Sequence, residues 1–360
     1  VLRGVSRTTK ILTPNLTVTR VSASWRVREV AVVNGMSGNL PFGVYNSDID
    51  TLATALNERV FQCEVDGRLV GFPVIEKRAF DLTEFSSLVV AHTTRRTMMT
   101  PTEFLSTYTG PKLRVYQQAM VDYESGGVTR RHAMSISFVK VEKTNVKKAP
   151  RVIQPRNPVY NYALGRYIKA IEKPLYRAIA KVFGDGPTVM KGLNALQIGR
   201  ICAAKFNSFS NPVAVGLDAK RFDAHVSVEA LQWEHSVYNA ILRKPELKRL
   251  LTWQLHNVGR GYADNGKLRY SVDGKRFSGD MNTGLGNSLI MCGLIWTYAK
   301  HRRVSIKLIN NGDDCVVFLE QRDLTTFVVG LDAWFYARGF RMAIETPVCR
   351  LEEVEFCQCK

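Results

Sequence analysis

Two aspartates stand side by side at Asp313-Asp314, directly after Asn310-Asn311-Gly312 and between the apolar runs Val304–Ile309 and Cys315–Leu319. Adjacent carboxylates repel one another and are costly to hold together unless a cation neutralises them. Asn, Gly and Asp are also the commonest turn formers, so a solvated hairpin turn accounts for these residues taken alone. The flanks alter that reading, because they place the turn at the end of a buried sheet. Ninety-five positions earlier, Asp218 ends a second apolar strand, Val213–Leu217, and Asp223 follows five residues on, free to face the same cleft. Carboxylates from two neighbouring strands meet the requirement for two divalent cations about 3.5–4 Å apart, one activating a 3′-hydroxyl and one holding a triphosphate.

A third segment, Ser278-Gly-Asp-Met-Asn-Thr283-Gly-Leu-Gly-Asn287-Ser288, lies between a hairpin and a buried helix. It reads either as an ordinary glycine-rich loop with Thr283 as helix N-cap, or as a loop that approaches a nucleotide closely at a helix N-terminus. A fourth runs from 140 to 156, where six cations (Lys140, Lys143, Lys147, Lys148, Arg151, Arg156) face only Glu142. Pro150 and Pro155, with Pro158 just beyond, forbid a continuous helix, so this is an extended basic arm. The whole chain carries 50 Lys and Arg against 32 Asp and Glu, a formal +18, which predicts a polyanionic partner.

Several function classes drop out. The 360 residues are 45% hydrophobic and 23% charged, so the chain folds rather than staying disordered. No apolar stretch reaches the roughly 18 residues of a membrane span. A first residue Val1 rather than Met leads us to expect a fragment or a processed product. Seven cysteines, mostly inside apolar runs, read as reduced, buried thiols of a cytosolic protein. Cys349, Cys357 and Cys359 lack the second pair that a zinc site needs. His225 and His235 read as packing residues rather than ligands.

The elements that must hold these residues follow from local pattern. Trp25–Val33 is an apolar-rich strand region, and Arg59–Val65 and Leu69–Ile75 flank an Asp66-Gly67 hairpin turn. Met134–Val141 alternates Met134, Ile136 and Phe138 against Ser135, Ser137 and Val139, a half-buried strand. Ser227 caps a helix with Val228, Leu231, His235, Tyr238 and Ile241 on one face. Lys267–Val272 and Lys275–Phe277 flank Asp273-Gly274 as a hairpin, and Asn287–Trp296 is a buried helix. Asp323 caps a helix closed by Gly339; Phe340–Ile344 and Val354–Cys359 are strands. Together they predict an α+β fold, an antiparallel sheet with helices on one face.

In this order, Asp218–Asp223, Ser278–Thr283 and Gly312-Asp313-Asp314 resemble motifs A, B and C of the RNA-dependent RNA polymerases of positive-strand RNA viruses, most closely the tombusvirus-like plant virus replicases. The basic arm matches the motif F region, Gly339-Phe340 falls in motif D, and Phe356-Cys357-Gln358 resembles motif E. The resemblance covers roughly Met134 to the end. It implies a right-hand polymerase with fingers and palm, the thumb largely missing from this chain. Fingers would take 1–211 with an insertion at 233–271, the palm 212–232 and 272–360, and the catalytic core about 210–327.

The same resemblance implies roles. Asp218 and Asp313 would hold two Mg²⁺ ions, with Mn²⁺ able to substitute, and Asp314 would assist one of them. Asp223 and Asn287 would read the ribose 2′-hydroxyl, with Ser278 and Thr283 orienting them. Arg151 and Arg156 would fork onto the triphosphate, while Lys140, Lys143, Lys147 and Lys148 line the nucleotide channel. Partners would be RNA template and product, nucleoside triphosphates, a viral auxiliary replication protein and host factors. The setting would be host cytoplasm, on membrane-associated replication complexes reached through other regions. The motif D lysine that serves as proton donor has no counterpart between Gln321 and Arg350, and Arg338 or Arg341 would be a poor donor.

Two other readings compete. A reverse transcriptase shares the metals but excludes the 2′-hydroxyl and has an aromatic residue two before its Asp pair, where this chain has Asn311. A non-catalytic RNA-binding module explains the arm but leaves four aspartates that repel RNA without a purpose.

Overall fold

The structure, a computed structural model, describes residues 2–9, 13–31, 42–75 and 80–359. The strand Pro212–Ala219 pairs antiparallel with Asp314–Glu320 on one side and Met342–Ile344 on the other, and Lys307–Asn311 completes the sheet outside Asp314–Glu320. Side chains alternate across this sheet. Val213, Val215, Leu217, Val317 and Leu319 enter the main core, while Ala214, Ile309, Val316 and Phe318 pack on the opposite face with Phe206. The expectation of helices on one face alone is therefore corrected. Ala195–Phe206, started by an Asn194/Gln197 capping box, covers the second face. Burial on both faces is why these strands read as unbroken apolar runs.

The main face carries Pro158–Phe183, Val228–Leu242 and Thr283–Arg302. The 26-residue Pro158–Phe183 helix begins where Asn157 accepts from the Val159 amide at 2.8 Å with Pro158 in the first turn, and ends at left-handed Gly184. Ser227 caps its helix as expected, accepting from the Ala230 amide at 3.1 Å.

A second, five-stranded sheet runs in the order Leu16–Arg20, Gly266–Asp273, His256–Ala263, Ser135–Val139, Val152–Ile153. Its hairpin joins His256–Ala263 to Gly266–Asp273 around Asp264-Asn265, not at Asp273-Gly274, because Lys275–Phe277 forms no strand. In Ser135–Val139 the expected sides are reversed: Ser135 and Ser137 are buried, whereas Ile136 and Phe138 are exposed. The serines face inward because the buried Tyr270 hydroxyl needs partners; Ser137 Oγ lies 2.7 Å from it, and Gln154 Nε2 donates to it at 2.7 Å.

The arm from 140 to 156 holds no helix; it includes the two-residue strands Thr144–Asn145 and Val152–Ile153 and bends at a turn where the Lys148 amide donates to Asn145 O at 3.0 Å. Asp66-Gly67 turns the short hairpin Cys63–Val65/Arg68–Val70. Three expectations fall elsewhere. The helix after Asp323 breaks at Gly330, φ +82°, into Leu324–Val328 and Leu331–Tyr336. Val354–Cys359 is no strand; positive φ at Cys357 and Gln358 turns the chain so that Phe356 bridges Cys359. Within Trp25–Val33 only Glu29–Val30 is a strand, and residues 32 and 33 lie outside the described residues. Of the seven cysteines, Cys63, Cys292 and Cys315 are buried, while Cys349 and Cys359 are exposed. Among the described residues no helix is long and apolar enough to cross a membrane.

Candidate active site

Register places the carboxylates. In the pairing of Pro212–Ala219 with Asp314–Glu320, Asp218 stands directly opposite Asp314. Gly312, φ +85°, turns the hairpin so that Asp313 sits at its tip. Buried Asn310 fixes that turn, donating to Gly312 O at 2.7 Å and accepting from the Gly312 amide at 3.2 Å. Among the described residues Asp218, Asp313 and Asp314 have no ion pair. Packing, and then the carboxylates of Asp223, Asp314 and Asp218, push the Asp313 acid up to about 6. Partial burial and Asp314 opposite also raise Asp218, with Lys220 pulling the other way. The cluster is thus short of positive charge.

Hard carboxylate oxygens in that state suit a divalent cation. Among the described residues no three metal-type side chains converge on one point. Mg²⁺ does not require them to, since it retains several waters and takes one or two carboxylates together with substrate phosphates.

Asp223 follows left-handed Arg221 in the short helix Phe222–His225. Its Oδ1 accepts from Asn287 Nδ2 at 2.7 Å. Burial raises the Asp223 pKa above the usual carboxylate range, while Asn287 and Arg276 pull it back down. Behind Asn287 lies a buried polar chain that sequence reasoning missed. Arg276 Nε donates to Asn287 Oδ1 at 3.1 Å, and the Arg276 guanidinium also pairs with Glu234. Asn282 and Tyr238 donate to Glu234 at 2.7 and 2.8 Å, and Gln254 reaches Asn282 at 2.9 Å. Gly286 must be glycine here, because a Cβ would stand 2.3 Å from Arg276 Nη2. The available signal was Glu234 itself, a charge among Leu231, Trp233 and Tyr238 on a buried helix.

The glycine loop and the arm touch. Ser278 Oγ accepts from the Gln154 amide at 3.1 Å, and at Gly279 an added Cβ would lie 2.5 Å from Pro155 Cα. Thr283 begins the helix and donates to the carbonyls of Phe277 and Asp280, both at 2.9 Å, so its hydroxyl closes the loop rather than facing Asn287.

The six arm cations separate. Arg151, with Arg59, Arg221, Lys275, Asp223, Ser278 and Asp313, lines a cavity of about 210 Å³. Lys147 and Lys148 line a wider cleft of about 790 Å³ that also holds Asp218, Lys220 and Arg341. Lys140 and Arg151 share Glu142, at 2.7 and 3.3 Å, and Lys143 lies over the Phe42 ring. Arg156 does not reach the cavity, which corrects its assignment to a triphosphate. Its buried guanidinium pairs with Asp280 and donates to Ala133 O and, at 2.8 Å, to Asn257 Oδ1.

Further cations were not singled out from sequence. Arg59 clamps the arm through the Ala149 and Pro150 carbonyls at 3.0 and 3.1 Å; burial, then Arg221 and Arg151, lower it to about 10. Burial lowers Lys275 to about 7, and its ammonium donates to Ala224 O at 2.6 Å. Lys191 Nζ donates to Asn311 Oδ1 at 2.9 Å beside the hairpin. His225 and His235 are buried and held neutral by burial, near 4, as packing residues should be. Arg338 stacks on Trp334.

This arrangement of carboxylates, glycine loop and basic arm agrees with what sequence comparison finds. The profile of the family described as viral RNA dependent RNA polymerase matches residues 16–360. The chain belongs to that family. Among its relatives, the RNA-directed RNA polymerase of Tobacco necrosis virus (strain A) is 42% identical over 351 residues, 96% of this chain and 48% of the relative. Those of Oat chlorotic stunt virus (isolate United Kingdom) and Tomato bushy stunt virus (strain Cherry) are each 43% identical, covering 96% and 92% of this chain and 48% and 41% of their own lengths. The chain spans less than half the length of these curated relatives, all RNA-directed RNA polymerases of plant viruses. Membership in the viral polymerase family bears out the resemblance read from the motifs.

Proposed function

We propose that this chain is the catalytic core of an RNA-directed RNA polymerase that copies a positive-strand RNA genome by two-metal nucleotidyl transfer. The observation that carries the reading is the Asp218–Asp314 register with Asp313 at the adjoining turn, beside a cavity walled by Arg59, Arg151 and Arg221. In this reading the four-stranded sheet is the palm and the five-stranded sheet with the arm belongs to the fingers. A thumb would follow the Phe356–Cys359 turn.

Asp218 and Asp313 would hold Mg²⁺, or Mn²⁺ in its place, with Asp314 assisting. When bound, the metal supplies charge neutralisation and activation of a 3′-hydroxyl. The chain's own residues do the rest. Arg151, Arg59 and Arg221 offer donors to a triphosphate. Asp223, whose carboxylate accepts from Asn287 Nδ2, offers an acceptor to a ribose 2′-hydroxyl, which favours ribonucleotides over deoxyribonucleotides. Lys147 and Lys148 line the wider cleft as point charges for RNA. RNA template and product, nucleoside triphosphates, an auxiliary viral replication protein and host factors are the proposed partners. Membrane-associated complexes in host cytoplasm are the proposed setting.

The test is incorporation of labelled ribonucleotides on an RNA template with Mg²⁺ or Mn²⁺, with Asp313→Asn as control. Activity in the wild type and none in the variant supports the reading; incorporation that survives Asp313→Asn, or that prefers dNTPs, overturns it.

A further inference from the structure

The five-stranded sheet has one face packed and one face open. Leu16, Leu268, Tyr270 and Val139 bury the inner face against Ile49, Leu52 and Leu56 of the helix Ile49–Leu56. The open face carries a row fixed by register: Thr17 opposite Arg269, Arg269 opposite Arg260, and Arg260 opposite Ile136. A second row places Thr19 opposite Lys267 and Lys267 opposite Tyr262. Phe138, two residues beyond Ile136, shares this face. Tyr262, Phe138 and Ile136 are 54%, 43% and 45% exposed. A shallow cavity of about 350 Å³ lies among Thr17, Thr19, Arg260, Tyr262, Lys267 and Arg269.

One feature of this face carries a cost that a bound polyanion would relieve. Like charges directly opposite each other on a sheet repel, and Arg260 and Arg269 are so placed. Among the described residues neither they nor Lys267 has an ion pair or a side-chain hydrogen bond, although acidic side chains compensate cations elsewhere, as Asp50 does for neighbouring Arg20. Exposed aromatic rings beside the cations complete a surface suited to nucleic acid, since bases stack on rings and phosphates meet the charges.

We propose that the open face of this sheet, through Arg260, Lys267, Arg269 and Tyr262, is a binding site for single-stranded RNA distinct from the carboxylate cleft. None of these four residues lines either cavity that holds the aspartates. The site binds any sequence, because rings and cations recognise features common to all nucleotides. It holds RNA outside the cleft and so raises the local concentration of template.

The experiment uses the full-length protein that contains this chain and a labelled single-stranded RNA. The triple variant Arg260→Thr/Lys267→Thr/Arg269→Thr, chosen because threonine suits a strand, is compared with wild type across a salt series. The slope of log affinity against log salt is expected to become shallower by about 2, at roughly 0.7 per lost cation. Tyr262→Ala is expected to weaken binding about tenfold with the slope retained, and Tyr262→Phe to keep wild-type affinity. Melting temperatures of all variants should match wild type, and incorporation on a short template at saturating concentration should be unchanged. Loss of that incorporation in a folded variant would make the face part of the cleft and overturn the proposal. So would wild-type affinity and slope in the triple variant, or a defect confined to vesicles of acidic phospholipid, which would make the face a membrane surface. A misfolded triple variant leaves the Tyr262 pair to decide: equal losses in Tyr262→Ala and Tyr262→Phe would exclude stacking.

Discussion

Arg276 Nε donates to Asn287 Oδ1 at 3.1 Å, and this one bond decides which end of Asn287 meets Asp223. Arginine has donors only, so the asparagine oxygen must face it and the amide nitrogen must face the carboxylate. The Glu234–Arg276 pair is therefore a positioning device for the proposed ribose site. Replacing the pair with Glu234→Leu/Arg276→Met should leave melting temperature near wild type, because apolar substitutes for a buried ion pair are often neutral. The ratio of rNTP to dNTP incorporation should nonetheless fall about tenfold, the worth of one misplaced hydrogen bond. An unchanged ratio in a folded double variant would refute the idea.

Removing one partner is a different matter. Glu234→Gln strands the Arg276 charge in the core and should destabilise the fold by about 3 kcal/mol, seen in chemical denaturation.

Asp313→Asn should lower nucleotide incorporation by about a thousandfold or more, since positioned charge carries most of phosphoryl transfer. Template affinity, measured by filter binding, should hold or rise, because one repulsive carboxylate has gone.

The acidity of Asp313 gives a pH signature without metal. Its folded value of about 6 lies above the ordinary 3.8, so the fold favours the protonated acid. That stabilisation is present in acid and is lost as pH rises from about 4 through 6. The shift alone would be worth about 3 kcal/mol in a dry site, and solvent at the open turn reduces it to about 1 kcal/mol. In chelator, Asp313→Asn should therefore gain melting temperature over wild type at pH 7 and lose that advantage near pH 4. His225 and His235, held near 4, act in the opposite sense, since their neutral burial stabilises above 6.5 and fails as pH falls. Both are common to the two proteins, so the difference between the melting curves isolates Asp313.

The two arginines of the arm should part company. Arg156→Ala breaks a buried pair with Asp280 and should cost about 3–5 kcal/mol. Arg151→Ala, at an exposed cation on the cavity wall, should change stability by less than about 0.5 kcal/mol. Its KM for nucleotide should rise about tenfold through one lost charge-assisted hydrogen bond.

What the chain discloses by its pattern is local. Asp218 at a strand, the Gly312 turn, the Ser227 cap and the extended arm follow from periodicity, proline and turn chemistry within a few residues. What it conceals depends on partners far away in sequence. Ile136 and Phe138 look like a core face until Tyr270, more than a hundred positions later, claims the serine between them. Arg156 looks like Arg151 until Asp280 is brought beside it. The helix after Asp323 reads as continuous because an apolar spacing survives on both sides of Gly330. The motifs themselves were recognisable because each is a short contiguous segment, whereas the Glu234–Arg276–Asn287 chain is assembled from three.

The seven-residue pairing of Pro212–Ala219 with Asp314–Glu320 also bears on how this gene can vary. Side chains on a strand alternate, so adding or removing a single codon between Pro212 and Asp218 would carry the aspartate to the other side of the sheet. Two extra codons would restore the side but displace it by about 7 Å along the strand. Substitutions in this strand can be absorbed one methyl group at a time; changes of length cannot. The strand is a fixed ruler between two coding segments almost a hundred codons apart, and descendants of this chain should conserve its length more strictly than its spelling.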